Sequence, residues 1–98
     1  MPTYVTLIQW TDQGVKNFKD TVDRAEKAEE AMGKLGVTFR DIYWTVGQYD
    51  IVGIVEAQDD ESATAALLTI ASQGNIRTAT LRAFNREEMR EIIGRVTG

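Results

Sequence analysis

The first residues of the chain alternate between two sets of side chains, which predicts a β-strand from Thr3 to Trp10. Val5 and Leu7 fall on one side of this segment. The other side carries three large side chains and one threonine: Tyr4, Thr6, Ile8 and Trp10. A period of two is the spacing of a strand whose two faces meet different surroundings.

A long helix is predicted to follow this strand. Thr11 and Asp12 can each cap its first turn, and Gly36 stands where a helix ends on a left-handed residue. Apolar side chains recur between them at steps of three and four and form one stripe: Val15, Phe18, Val22, Ala25, Ala28, Met32 and Leu35. We interpret the charged opposite side as a solvated face.

Two segments rich in β-branched and aromatic residues predict a hairpin over residues 37–46 and 49–57. Only Gly47-Gln48 separates them, and a two-residue loop that begins with Gly is typical of a tight turn with positive φ. The turn fixes these pairs: Val46 with Tyr49, Thr45 with Asp50, Trp44 with Ile51 and Tyr43 with Val52. Asp41 interrupts the apolar run and predicts a bulge or an edge position.

The rest of the chain predicts a helix, a strand and a terminal helix. Residues 59–62 offer caps at a helix start, and Gly74 stands at its end. A strand over 75–84 precedes an Asn85–Glu88 capping box and a short amphipathic helix. The order β-α-β-β-α-β plus a final helix predicts an α+β, ferredoxin-like fold, an antiparallel sheet with both helices on one face, in a single domain over residues 1–98.

Two helices cover only one face of such a sheet. We assign the strictly apolar sets to the covered face: Val5, Leu7, Trp44, Ile51, Val55, Ala79, Leu81 and Ala83. The opposite face then mixes polar and apolar side chains: Thr6, Ile8, Trp10, Tyr43, Thr45, Asp50, Val52, Ile54, Thr78, Thr80 and Arg82. In one interpretation, two chains stack these faces and form a barrel-like dimer with a partly polar lumen. In the other, the face is exposed to solvent and carries a few scattered aromatic residues. The aromatic side chains on this face favour the dimer.

Composition narrows the chemistry of the 98 residues, which suffice for one domain. The chain has no Cys and no His, which excludes disulfides, thiol nucleophiles, Cys/His zinc sites and histidine relays. A net charge of −4 disfavours nucleic acid as a partner. No stretch approaches the ~20 apolar residues of a membrane span, and no leader pattern opens the chain. We therefore expect a cytoplasmic protein without a cofactor or a metal.

The mixed face contains the candidate functional residues. Asp50 is the candidate catalytic base if it is desolvated there; otherwise it accepts from turn amides or pairs with Thr45 or an arginine. Arg82 could bind an anion or neutralise Asp50, or form a salt bridge at the dimer rim. Tyr43 and Trp10 could stack on a planar ligand or only pack in the interface. The candidate ligand-binding set is Trp10, Tyr43, Thr45, Asp50, Thr80 and Arg82.

Three separated segments, residues 4–11, 42–52 and 74–84, resemble the GYD domain family. The family motif corresponds to Gly47, Tyr49 and Asp50, with Gln48 at the variable position. The resemblance implies a dimeric α/β barrel among small bacterial and archaeal proteins without an established activity. It assigns no catalytic residue.

Two functions follow as hypotheses. The first is a homo-oligomeric α/β barrel that binds a small metabolite between its stacked sheets. The alternative is a cofactor-independent monooxygenase or isomerase-like enzyme that acts on a small aromatic or carbonyl compound, with Asp50 as the base and Arg82 as the charge stabiliser. Under either hypothesis the expected partners are a second copy of the chain and a small molecule. A third alternative is a purely structural assembly protein, in which side chains fill the lumen and leave no cavity for a ligand.

Overall fold

The structure of the chain, a computed structural model, describes residues 1–97, so Gly98 of the predicted domain lies outside the described residues. Four strands and four α-helices follow one another along the chain, with one 3₁₀ turn at Phe18–Asp20. In order these elements are β1 (Thr3–Trp10), α1 (Asp12–Lys16), α2 (Thr21–Lys34), β2 (Val37–Trp44), β3 (Ile51–Ala57), α3 (Asp60–Ala71), β4 (Ile76–Ala83) and α4 (Arg86–Thr97).

The strands form one antiparallel sheet in the order β2-β3-β1-β4. This order, with α2 and α3 packed on one face, confirms the predicted ferredoxin-like fold with its additional C-terminal helix. The central strands are β3 and β1, while β2 and β4 are the edges. The hairpin register is also confirmed, with Tyr43 opposite Val52 and Trp44 opposite Ile51.

The prediction of one continuous helix after β1 is wrong. The helix breaks at Asn17, and the chain makes a 3₁₀ turn before α2 begins at Thr21. The Arg24 side chain stabilises this break, because its guanidinium donates to the carbonyl oxygens of Asn17 at 2.7 Å and Gly14 at 3.2 Å. The break turns part of the predicted stripe outward, so that Val15, Phe18 and Val22 are exposed.

The predicted helix caps are confirmed by their hydrogen bonds. Thr11 caps α1 by accepting from the Gly14 amide, and Asp59 caps α3 by accepting from the Ser62 amide. Asn85 and Glu88 exchange two side-chain-to-amide bonds of 2.8 and 2.9 Å, which is the predicted capping box. Gly47 has the predicted positive φ, +133°, but the loop is longer than the predicted two residues, because β2 ends at Trp44 and β3 begins at Ile51.

The face assignment of β1 and β4 is wrong. Burial alternates along β1 so that Tyr4, Thr6 and Ile8 lie beneath the helices, while Val5 and Leu7 lie on the open face. The faces of β4 are reversed in the same way, because Thr80 pairs with Thr6 and therefore lies on the covered face. The covered face therefore receives residues predicted for the open one: Thr6, Ile8, Trp10, Thr78, Thr80 and Arg82. The open face receives Val5, Leu7, Ala79, Leu81 and Ala83.

The core lies between the covered face and the helices α2 and α3. Met32, Val37 and Val55 are its largest fully buried apolar side chains. Gly53 makes room for the Phe39 ring, because a Cβ at that position would stand 3.0 Å from the ring. In β2 the register shifts between Phe39 and Asp41, which confirms a bulge next to the predicted position.

The terminal helix α4 stands apart from this core. None of its twelve residues is buried, and no strand or helix among residues 1–97 packs closely along it. Its apolar side chains nevertheless share one side of the helix: Met89, Ile92, Ile93 and Val96. The helix therefore presents an apolar surface that its own chain does not cover.

Candidate functional site

The open face of the sheet is an aliphatic surface. Its centre is formed by six side chains from three adjacent strands: Val5, Leu7, Val52, Ile54, Ala79 and Leu81. Leu81 is 52% exposed, and Tyr43 at the β2 edge is 60% exposed. Charged groups lie at the margin, where Arg40 and Glu56 form a salt bridge of 2.9 Å. An apolar centre with a polar rim is the composition of a protein interface.

A groove of about 440 Å³ runs along the other side of the sheet, between α3 and β4. Its volume lies within the ~300–1,000 Å³ of small-molecule sites. One end carries polar and charged groups from three elements, Tyr4, Asp60 and Arg82, and the other end is lined by Leu67, Leu68 and Ala71. Thr78 and Thr80 line the β4 wall between them.

Tyr4 fixes the charged end of the groove. Its hydroxyl donates to Oδ1 of Asp60, which stands in the first turn of α3. Burial, with the Asp60 hydrogen bond and charge as further causes, raises the pKa of Tyr4 to about 12. The phenol therefore stays protonated at neutral pH and acts as a donor.

Arg82 approaches the same end from β4. Its guanidinium carbon lies 5.7 Å from the centre of the Tyr4 ring and 4.5 Å from that of Phe84. It also donates to backbone oxygens of Thr3, at 3.3 Å, and Ala83. These contacts hold the positive charge of Arg82 beside the aromatic rings. Arg82 forms no salt bridge with Asp60.

Two threonine hydroxyls on the covered face have no hydrogen-bond partner among residues 1–97. They are Oγ1 of Thr6, which is completely buried, and Oγ1 of Thr80 in the groove wall. An unsatisfied buried hydroxyl costs about 1–3 kcal/mol. The buried hydroxyl groups without a hydrogen-bond partner therefore lie where β1 pairs with β4 on the covered face.

The Gly-x-Tyr-Asp motif joins the hairpin to the central strand. Oδ2 of Asp50 accepts from the Trp10 amide at 2.8 Å, and the Asp50 amide donates to the Ile8 carbonyl at 2.9 Å. The Thr45 hydroxyl donates to the Tyr49 carbonyl at 2.6 Å across the turn. Asp50 thus satisfies a backbone amide at the end of β1, which is a structural role.

A small apolar cavity of about 70 Å³ lies under the helices at this same end of the sheet. Its walls include Trp10, Met32, Phe39 and Ile70, and Arg24 stands among its few polar groups. Trp10 therefore lines an internal space instead of the open face. The aromatic platform of Trp10 and Tyr43 does not form, because the two side chains lie on opposite faces of the sheet.

The six candidate ligand-binding residues separate into different places. Thr80 and Arg82 meet in the groove, Thr45 and Asp50 lie at the hairpin turn, and Tyr43 alone occupies the open face. Arg82 does not neutralise Asp50, because they lie at opposite ends of β1, about 20 Å apart at ~3.4 Å per residue.

Tyr4 and Asp60 are the groove residues that sequence reasoning missed. Asp60 was interpreted only as part of a capping sequence, and Tyr4 only as a member of the alternating pattern. The β1–β4 register would have revealed Tyr4, because it places this residue directly opposite Arg82.

Helices able to span a membrane and clusters of metal-ligating side chains are both absent from residues 1–97. No helix there combines the length and the apolar character that crossing a bilayer requires. The same residues contain no group of three acidic side chains arranged to hold a metal ion.

Comparison with known proteins identifies similar sequences. The model of the GYD domain matches residues 4–93. A curated protein from Thermus thermophilus, named glutamine synthetase and cystathionine beta-lyase binding protein, is 33% identical over 85 residues, which cover 86% of this chain and 90% of that protein.

Comparison of structures identifies similar folds. The crystal structure of the protein TTHA0845 from Thermus thermophilus has a TM-score of 0.57 at 28% identity, over 87% of this chain and 95% of that one. The leucine response regulatory protein LrpA of Mycobacterium tuberculosis has a TM-score of 0.65 at 20% identity, over 86% of this chain and 51% of that one. The chain thus spans about half of the regulator, and the likeness shows the fold alone.

Proposed function

Since this chain belongs to the GYD domain family, we propose that it is a homodimeric binding protein for other proteins, enzymes in particular. Two copies pair through their open sheet faces, and the outer, helical surface of the dimer remains available to a partner. The observation that carries this proposal is the aliphatic open face, which has the composition of an interface and lacks a covering element among residues 1–97.

The area of the sheet supports a contribution from α4 as well. Strands of seven or eight residues are about 23–26 Å long and four of them are about 19 Å wide, so the footprint of each sheet is roughly 450–500 Å². A stable interface takes about 800 Å² from each partner. The apolar side of α4, a helix of about 18 Å, supplies much of the difference when it lies on the second copy.

The aliphatic side chains of the proposed dimer interface argue against the hypothesis that a small metabolite binds between the sheets. That hypothesis required a partly polar lumen, whereas the paired faces bring together Leu7, Ile54 and Leu81 with their equivalents. Aliphatic side chains at the spacing of packed sheets, about 10 Å, fill the space between them. The enzyme alternative is likewise not favoured, because Asp50 is occupied by the Trp10 amide.

The name of the Thermus thermophilus relative supports a protein as the external partner. On this chain we assign the contact to the exposed apolar patch at the break between α1 and α2, formed by Val15, Phe18 and Val22. The patch belongs to the helical layer and is therefore free when the open faces are paired.

A crossed pair of variants tests both parts of this proposal. Leu81→Asp places a charge in the centre of the open face and is expected to convert the dimer to a monomer of 11.0 kDa in native mass spectrometry. Phe18→Asp is expected to leave the dimer intact but to reduce binding of purified glutamine synthetase and cystathionine β-lyase at least tenfold, measured by biolayer interferometry.

Each half has a result that would overturn it. A wild-type protein that is monomeric throughout the micromolar range contradicts the paired sheets. Failure of the wild-type dimer to bind either enzyme, or equal binding by Phe18→Asp, contradicts the assignment of enzymes to the helical patch.

A further inference from the structure

The groove between α3 and β4 has the chemistry of a small-molecule site that is separate from both protein contacts. Asp60 presents a carboxylate from the first turn of α3, and Arg82 presents a guanidinium from the covered side of β4. Both line the same end of the groove, yet they form no salt bridge with each other. Two opposite charges held apart in one groove match a ligand that carries both charges itself.

The hydrogen bonds of the two groups leave capacity for a ligand. Oδ1 of Asp60 accepts from Tyr4, and no side-chain group among residues 1–97 donates to Oδ2. The guanidinium of Arg82 uses Nη1 for the backbone oxygens of Thr3 and Ala83, while its Nη2 makes no hydrogen bond within the same residues. The Oδ2 oxygen of Asp60 and the Nη2 amino group of Arg82 therefore remain free to bind a ligand at the charged end.

The other end of the groove is apolar and therefore favours an apolar group in the rest of the ligand. Leu67, Leu68 and Ala71 line it from successive turns of α3, and Leu68 is among the exposed apolar side chains of the molecule. An aliphatic or aromatic chain laid on these residues would cover surface that is now in contact with water. Few polar groups at one end and apolar walls at the other are typical of a site that orients its ligand.

We propose that this groove binds a free α-amino acid with an apolar side chain. Its carboxylate bonds to Arg82, its ammonium group to Asp60, and its side chain lies against Leu67, Leu68 and Ala71. The proposal is independent of dimerisation, because the groove and the open face lie on opposite sides of the sheet.

Amide chemical shifts of the ¹⁵N-labelled protein test this inference. L-valine, L-leucine and L-phenylalanine are titrated in turn, with 4-methylpentanoate and 3-methylbutylamine as leucine analogues that each lack one charged group. We expect at least one amino acid to give saturable shifts at Thr64, Leu67, Thr78 and Thr80. Each leucine analogue is expected to bind at least tenfold more weakly than leucine.

Variants assign the two charges. Arg82→Gln is expected to abolish the advantage of leucine over 3-methylbutylamine, and Asp60→Asn its advantage over 4-methylpentanoate. Arg82→Lys keeps the charge and retains part of the affinity, while Arg77→Gln, on the open side of β4, is the matched control that leaves affinity unchanged. The dispersion of each spectrum reports whether the variant is folded.

Three results would overturn the proposal. They are the absence of saturable shifts with all three amino acids, equal affinity for leucine and both analogues, and shifts that lie outside α3 and β4. Because oligomeric state is read from mass and the groove from chemical shifts, either proposal can fail while the other stands.

Discussion

The two faces of the sheet are made from the same four strands but differ in the sizes and polarity of their side chains. The covered face combines small residues with large ones, such as Gly53 beneath the Phe39 ring, and it buries Thr6 completely. The open face repeats medium-sized aliphatic side chains such as Leu7 and Ile54. Side chains of complementary size mark the face that the chain itself covers, whereas uniform aliphatic content marks the face that we propose pairs with a second copy.

The largest difference is expected between the core beneath the covered face and the uncovered helix α4, each represented by one methionine. Met32→Ala removes a fully buried side chain from the covered side and should lower the free energy of unfolding by about 2–5 kcal/mol at every protein concentration. Met89→Ala, on α4, should change it by less than about 0.5 kcal/mol in dilute protein. Urea unfolding followed by circular dichroism measures both, and equal losses would contradict the comparison.

An intermediate effect is expected on self-association. Leu81→Ala removes apolar surface from the open face in both copies of the proposed dimer and should raise its dissociation constant at least tenfold, about 1.4 kcal/mol. Sedimentation velocity over a dilution series gives the constant. Leu68→Ala, a change at another exposed leucine on α3, is the control that should leave it unchanged. Loss of the dimer in both variants would argue against the open face as the specific contact.

A smaller change, an increase in the free energy of unfolding, is expected at Thr6 on the covered face. Thr6→Val replaces an unsatisfied buried hydroxyl with a methyl group of similar size and should raise the free energy of unfolding by about 1 kcal/mol. Thr69→Val is the control, because the Thr69 hydroxyl is exposed and already bonded to Ala65. A destabilised Thr6→Val protein would mean that this hydroxyl has a partner in solution.

The last effect is confined to alkaline pH. Tyr4 has a pKa of about 12 in the folded chain against about 10 when unfolded, so the unfolded state loses its proton first as pH rises. Stability contributed by the buried phenol is therefore complete below about pH 10 and is lost as pH rises through about 12. Ultraviolet titration of phenolate should show one late step that Tyr4→Phe lacks, and its persistence in the variant would reject the assignment.

The sequence predicted the element order, the caps and the hairpin register because each depends on neighbouring residues. Thr11, Asp59 and Asn85 bond within three positions, and the Gly47 turn fixes which residues of β2 and β3 are opposite. Such local rules operate before the chain has folded.

The faces of β1 and β4 could not be predicted in the same way. Both sides of β1 carry large apolar residues, such as Ile8 and Leu7, so its alternation shows which residues share a face but not which face the helices cover. That choice is set by long-range pairing, for example Thr6 opposite Gly53. The groove was missed for the same reason, since Tyr4 and Arg82 meet only through the β1–β4 register.

The isolation of α4 has a consequence for how the molecule gains its final structure. A helix of twelve residues is marginal in water without tertiary support, and α4 has little from its own chain. If a second copy supplies that support, the ordering of residues 86–97 becomes part of the association step. Amide hydrogen exchange in this segment should then slow as the protein is concentrated, while the exchange of β1 and β3 stays constant.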